Sequence, residues 1–195
     1  MKFSLDLTVS TRPDWVDAVM ANIPLFLQDH ADCERKASAM AMSLVAKYPD
    51  RHEIIPELIA TGIEELQHFQ QVHQIMRKKG VPLAKEIEVD PYIKALMGLI
   101  HSDSKRRFLD RLLLASIIEC RGAERFRLIS DAMDNDELLK NFYYDLWISE
   151  AKHGHIFVKM ALEYFDKDQV YSRLHYLNKE EGEIVKGLKN RAALH

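Results

Sequence analysis

Two short strings constrain this chain more than anything else in it: Glu65-Leu66-Gln67-His68 and Glu150-Ala151-Lys152-His153. Each is a glutamate followed three residues later by a histidine. On an α-helix that spacing is about 300° of rotation, so carboxylate and imidazole leave one face roughly one turn apart. Each string lies inside a segment whose apolar residues recur at helical spacing, so that face is expected to point inward. A carboxylate buried there without a partner costs several kcal/mol, and a metal ion removes the penalty. Two inward Glu-x-x-His helices, with one further glutamate from each of two partner helices, are how a four-helix bundle holds a carboxylate-bridged pair of iron or manganese ions. The chain must therefore supply two more glutamates at matching depth.

Register selects them. Residues equidistant from the turn of an antiparallel helix hairpin sit at one height. Glu34 lies 15 residues before Pro49 and Glu65 16 after it, while Glu119 lies 15 before Asp134 and Glu150 16 after it. Both pairs are thus 31 residues apart. Glu124 is a competitor on the same helix as Glu119, and Ala123-Glu124-Arg125 resembles Cys33-Glu34-Arg35. It falls about 7 Å off level at 1.5 Å rise per residue. It is also turned about 140° from the inward row, among Arg121, Arg125 and Arg127, where a salt-bridged role suits it better. The metal ligands expected from spacing are Glu34, Glu65, His68, Glu119, Glu150 and His153. Four carboxylates converging in a core repel one another unless divalent ions compensate them. One imidazole per metal among carboxylates suits iron or manganese better than copper or structural zinc.

The rest of the chain fits this frame. Residues 3–9 alternate apolar and polar and read as a short extended arm. Thr11 or a neighbour is expected to cap a short helix over about 13–21 that opens at Pro13. A first long helix is expected from Pro24 to about Lys47, stopped by Tyr48-Pro49-Asp50, and a second over about 52–79, ended by Lys79-Gly80. Residues 81–102 are too long for a hairpin and read as a crossover, with Asp90-Pro91 starting a short helix through Ile100. Two more long helices follow, over about 102–133 and onward from the Asp134-Asn135 turn to about Phe165. A last amphipathic helix over 168–190 ends in a polar tail. With only 7 Gly and 6 Pro in 195 residues, and no low-complexity linker, one domain over 1–195 is expected. Two helix hairpins joined by one long crossover, with extra terminal helices, make an all-α, ferritin-like four-helix bundle.

Other residues carry weaker expectations. Cys33 and Cys120 are the only cysteines and form no C-x-x-C, which argues against a disulfide scaffold, a zinc ribbon or a rubredoxin-type iron site. Thr61 and His30 each lie one turn before a ligand. Thr61 is expected to bond back to its own helix and His30 to be a core or supporting histidine. Glu64 and His155 are expected in solvent. Small residues near the ligands, Gly62, Gly122 and Gly154 among them, read equally well as room for dioxygen and substrate or as close helix approach. Arg77-Lys78-Lys79 ends a helix, where cations favour the dipole. Lys105-Arg106-Arg107 starts one, where they do not, and is the better candidate for a phosphate patch. The net charge of −3 carries no global basic signature. No signal-peptide core or run of about 18 apolar residues occurs, so a cytoplasmic protein without membrane contact is expected.

At the ligand strings the chain resembles the MiaE-like tRNA 2-methylthio-isopentenyladenosine hydroxylases of the ferritin-like superfamily. The resemblance rests on His30-Ala31-Asp32-Cys33-Glu34-Arg35-Lys36-Ala37, Glu64-Glu65-Leu66-Gln67-His68-Phe69, Ile118-Glu119-Cys120-Arg121-Gly122-Ala123-Glu124-Arg125-Phe126 and Ser149-Glu150-Ala151-Lys152-His153. Where that family reads E-A-R-S-C-E-R-F, this chain has Cys120 and then Gly122-Ala123. The resemblance implies a non-haem diiron monooxygenase acting on modified tRNA, with two iron ions, dioxygen and an electron-donating redox protein. One oxygen atom enters the allylic carbon of the isopentenyl group and the other leaves as water. No acid–base residue beyond the ligands is called for. The alternatives are a rubrerythrin-like peroxidase, a ferroxidase, or a plain helical interaction bundle, which leaves the matched 31-residue spacing unexplained.

Overall fold

Proline, glycine and short polar caps divide the chain where the apolar periodicity breaks. The computed structural model describes residues 6–86 and 89–195, and among them there are seven α-helices and no strand. They are α1 (Pro13–Met20), α2 (Ile23–Lys47), α3 (Ile55–Lys78), α4 (Pro91–Met97), α5 (Ser104–Ala132), α6 (Glu137–Leu162) and α7 (Lys167–Gly187). The starts of α2, α4, α5 and α6 are capped by Asn22, Asp90, Asp103 and Asp136, whose side chains accept from backbone N–H groups of the first turn. At the end of α3, Gly80 takes φ +68°, and the N–H groups of Gly80 and Val81 bond to the carbonyls of Arg77 and Met76. That arrangement satisfies two carbonyls the helix leaves open, and it needs a residue without Cβ.

The chain groups into two compact units. One comprises Asp17–Glu88 and Arg191–Leu194, and its frame is the α2–α3 hairpin. Phe26, Leu27, Ala31, Ala41 and Leu44 of α2, with Leu58, Val72, Ile75 and Met76 of α3, form its apolar core. The other comprises Met1–Val16, Val89–Asn190 and His195, and its frame is the α5–α6 hairpin with α7 packed on both helices. Phe108, Leu112, Phe126 and Ile129 of α5, with Leu139, Leu146, Phe157 and Met160 of α6, form its apolar core. The inward rows expected from spacing are largely the rows buried, and the long crossover separates the two hairpins in sequence.

Several expectations are corrected. The crossover helix α4 stops at Met97 rather than Ile100, because Gly98 begins a turn. Thr11 does not spend its hydroxyl on α1; it donates to Glu124 at 2.7 Å. The C-terminal tail is not a solvated one. Ala192, Ala193 and Leu194 are buried, the Leu194 N–H donates to Asp29 at 2.7 Å, and His195 stacks on Tyr92 at 5.1 Å. Three consecutive apolar residues explain why that end packs. On α6, spacing puts Phe142 between Leu139 and Leu146 on the inward face, but Tyr143 is the residue fully buried there and Phe142 is only partly buried. Of the expected extended arm, residues 3–5 lie outside the described residues, and residues 6–9 form no strand.

Candidate metal centre

The α2–α3 hairpin gathers one triad. Glu34, Glu65 and His68 are each at most 5% exposed, and one ligating atom from each lies within 4.8 Å of the others. His68 Nδ1 is 3.7 Å from Glu34 and 3.6 Å from Glu65. His30, one turn before Glu34, is fully buried against Phe26, with its Nε2 2.6 Å from Glu34 Oε1. Burial raises the Glu34 pKa, but hydrogen bonds from His30 and His68 outweigh it and hold the carboxyl well below the usual carboxylate range. Glu34 is thereby kept in the ionised form that ligates metal. The structure makes His30 a supporting residue of Glu34, a role the sequence left beside a plain core one.

The α5–α6 hairpin gathers the matching triad. Glu119, Glu150 and His153 are buried, again with one ligating atom from each within 4.8 Å of the others. His153 Nδ1 sits 2.6 Å from Glu150 Oε2. The equal-height argument therefore holds in each hairpin separately. Glu124 stands apart from the triad, as an ion pair with Arg121 at 2.5 Å and an acceptor for the Thr11 backbone and hydroxyl. Thr61 bonds back to the Glu57 carbonyl at 2.9 Å, as its helix position suggested. Glu64 is substantially exposed, and His155 is half-buried rather than solvated.

Both hairpins are strapped the same way beside their triads. Ser38 donates to the Gly62 carbonyl at 2.7 Å, and Ser116 to the Gly154 carbonyl at 2.6 Å. These bonds cross between the paired helices, which glycine lets approach closely. A Cβ on Gly62 would stand 2.9 Å from Met42 Cε, and one on Gly154 would stand 2.4 Å from Cys120 Sγ. Gly122, one turn past Glu119, differs, because a Cβ there would meet nothing within 4 Å. Close approach accounts for Gly62 and Gly154; Gly122 borders open space. The Cys120 thiol is pushed up to about 12 by burial and by the neighbouring Glu119 charge, which favours its neutral form.

Sequence reasoning missed the buried polar network on the far side of α5. Arg121 and Glu181 are both fully buried and paired at 2.8 Å, with the Tyr92 hydroxyl donating to Glu181 at 3.0 Å. Arg121 also donates to the Val9 carbonyl and to Thr11. Burial, with repulsion from Arg121, lowers Arg125 to about 10. A run of arginines on the polar side of a helix reads as solvated, and only packing of α7 reveals otherwise. Of Lys105-Arg106-Arg107, two members serve the start of α5: Arg106 pairs with Asp103 at 2.6 Å, and Arg107 donates to the His101 and Ser102 carbonyls.

The donor chemistry of the two triads, four carboxylates and two imidazoles without sulfur, fits iron or manganese. The comparisons agree with that reading. The chain is 31% identical over 184 residues, 94% of its length and 88% of the relative's, to a tRNA 2-(methylsulfanyl)-N(6)-isopentenyladenosine(37) hydroxylase of Pseudomonas putida. It is 25% identical to the hydroxylase of the same name from Salmonella typhimurium, covering 84% of this chain and 77% of that one. Among solved structures it superposes on a Synechococcus protein with aldehyde deformylating oxygenase activity, with a TM-score of 0.89 and 30% identity over 95% of this chain and 92% of that chain. The fold is ferritin-like. Residues 2–195 match the model of the family described as tRNA-(MS2IO6A)-hydroxylase (MiaE), and the chain belongs to that family.

Proposed function

We propose that this protein is a dioxygen-dependent diiron monooxygenase that hydroxylates the isopentenyl side chain of 2-methylthio-isopentenyladenosine in tRNA. Family membership over the whole chain supports the tRNA substrate and the diiron cofactor. The observation that carries the chemistry is the pair of buried triads, each with two glutamates and one histidine. Glu34, Glu65, His68, Glu119, Glu150 and His153 are the ligands of this proposal, within one ferritin-like domain. When bound, the metal pair supplies dioxygen activation: one oxygen atom enters the allylic C–H bond, and the other leaves as water with two protons and two electrons from a redox protein.

The chain's own residues prepare that site. His30 and His68 hold Glu34 ionised, and His153 orients the Glu150 carboxylate through its Nδ1. The serine straps fix α2 to α3 and α5 to α6 beside the ligands, so the carboxylates need not reorganise when metal enters. Apolar packing of Phe26, Phe126 and Phe157 keeps water from the surrounding core. No helix of the described residues is long and apolar enough to cross a membrane, and action on tRNA supports a cytoplasmic location.

Mass spectrometry of tRNA nucleosides from a strain lacking the gene is the test. Loss of the hydroxylated nucleoside, restored by the wild-type gene and by no Glu119→Ala copy, is expected. Unchanged hydroxylation without the gene would remove the tRNA assignment, and peroxide consumption in its place would favour the rubrerythrin-like alternative.

A further inference from the structure

The string around Glu34 contains more chemistry than one ligand uses. Asp32, Arg35 and Lys36 follow the outer side of α2, and they line a cavity of about 340 Å³ with Phe69 of α3 and with Leu83 and Lys85 of the segment after α3. All belong to the α2–α3 unit. Asp32 is buried, and its two oxygens hold Arg35 and Lys36 at 2.5 Å each, although both cations remain more than half exposed. A buried carboxylate thus fixes two cations at the rim of the cavity instead of letting them wander. Gln28 ties the far wall down by donating to the Pro82 carbonyl at 2.8 Å. Phe69 is half-buried, beside His73 at 6.3 Å, and Leu83 is exposed.

The balance of this cavity is three cations against one carboxylate, with an aromatic and apolar wall. Its volume lies at the lower end of the range for small-molecule sites. A positive rim that tracks phosphate, beside an aromatic face on which a base stacks, is how proteins hold single-stranded nucleic acid without reading its sequence. We propose that this cavity binds a nucleotide flanking the modified adenosine, its phosphate on Lys36, Lys85 and Arg35 and its base against Phe69. The proposal rests on the tRNA reading above and adds where the RNA strand is gripped. Arg35 and Lys36 directly follow the proposed ligand Glu34, and Phe69 follows the proposed ligand His68. The cavity therefore shares its helix turns with the metal triad but takes another face, about a helix diameter of 10–12 Å across. A strand held there leaves its modified base free to be directed elsewhere.

The test is binding of an anticodon stem-loop RNA to the metal-loaded protein across a range of salt concentrations, alongside adenosine monophosphate and inorganic phosphate as free ligands. The variants are Lys36→Gln with Lys85→Gln, and Phe69→Leu, which keeps an apolar wall. Lys159→Gln with Lys167→Gln, both exposed and outside the cavity, serves as the charge-matched control. The double variant is expected to weaken RNA binding by about tenfold or more and to flatten the dependence of log K on log salt by about 0.7 per lost cation. Phe69→Leu is expected to weaken it about 5- to 100-fold with the slope unchanged. Iron content per chain should match wild type in each. Wild-type affinity and slope in both variants would overturn the proposal. Loss of adenosine monophosphate or phosphate binding without loss of RNA binding would overturn it too, leaving a small-anion site. These readings stand apart from turnover: a wild-type protein that binds the stem-loop through this cavity yet hydroxylates nothing would refute the function and leave the cavity assignment intact.

Discussion

Three glycines near the ligands look alike in sequence and behave differently in the fold. At Gly154 the Cys120 sulfur occupies the place of a side chain, so Gly154→Ala is expected to destabilise by about 1–3 kcal/mol through overpacking, despite the better helix propensity of alanine. In a Cys120→Ala background the same change should become neutral or stabilising. Denaturant midpoints of the four proteins in that cycle decide it, and additive effects would refute the contact. Gly122→Ala meets open space, so it should gain about 1 kcal/mol of helix stability, worth about 2–4 °C in Tm, while narrowing the room beside Glu119. Hydroxylation rate and Tm moving in opposite directions would show both effects. With its thiol pKa near 12, Cys120 is on the order of one part in 10⁴ thiolate at pH 8 and should resist alkylation in the folded protein. Mass spectrometry after iodoacetamide treatment, with and without denaturant, reads this directly.

Helix α7 buries Val170, Leu174, Leu177 and Val185 and adds two buried charge links to α5. The Arg121–Glu181 pair is fully buried, so Glu181→Gln leaves a guanidinium without its main counter-charge and should lower stability by about 3–5 kcal/mol. Asp110 of α5 carries a second link. Burial raises its pKa, but hydrogen bonds from Arg173 and from the His101 backbone and ring outweigh that and leave it lowered. A carboxyl lowered in the folded state contributes stability that is complete above its unfolded pKa of about 3.9 and is lost as the pH falls through the folded value. Wild type should therefore exceed Asp110→Asn in stability at pH 7 by about 1.5–3 kcal/mol, and the gap should shrink below about pH 4. Urea titrations at pH 7, 5 and 3 measure it; a constant gap would refute the link. None of this was legible beforehand, because Arg121, Asp110 and Glu181 look like ordinary polar residues until α7 covers them.

At the scale of the whole chain, the six buried ionisable residues proposed as ligands are an electrostatic burden that a metal would relieve. Anaerobic addition of Fe(II) or Mn(II) to metal-free protein should raise stability by about 2.7 kcal/mol per ion at a hundredfold excess over its Kd, about 5 kcal/mol for two ions, and Tm by about 10–20 °C. Chelation should reverse the shift. Glu119→Ala and Glu65→Ala should each bind fewer than two metals per chain and show a smaller shift, read by elemental analysis and calorimetry. Wild-type metal content in either variant would refute the ligand assignment.

What the sequence determined by itself was periodic: a helix repeats every 3.6 residues, so faces, hairpins and the 31-residue register of Glu34 with Glu65 and of Glu119 with Glu150 could be counted along the chain. The caps and the Gly80 stop were equally local. Only the tertiary structure decided what depends on which surface comes to lie against which. That covers the burial of Arg121 and Glu181, the packed tail through Leu194, and the cavity formed where Lys85 returns beside Arg35 and Lys36. Such contacts join residues far apart in the chain, and no repeat in the sequence encodes their distance.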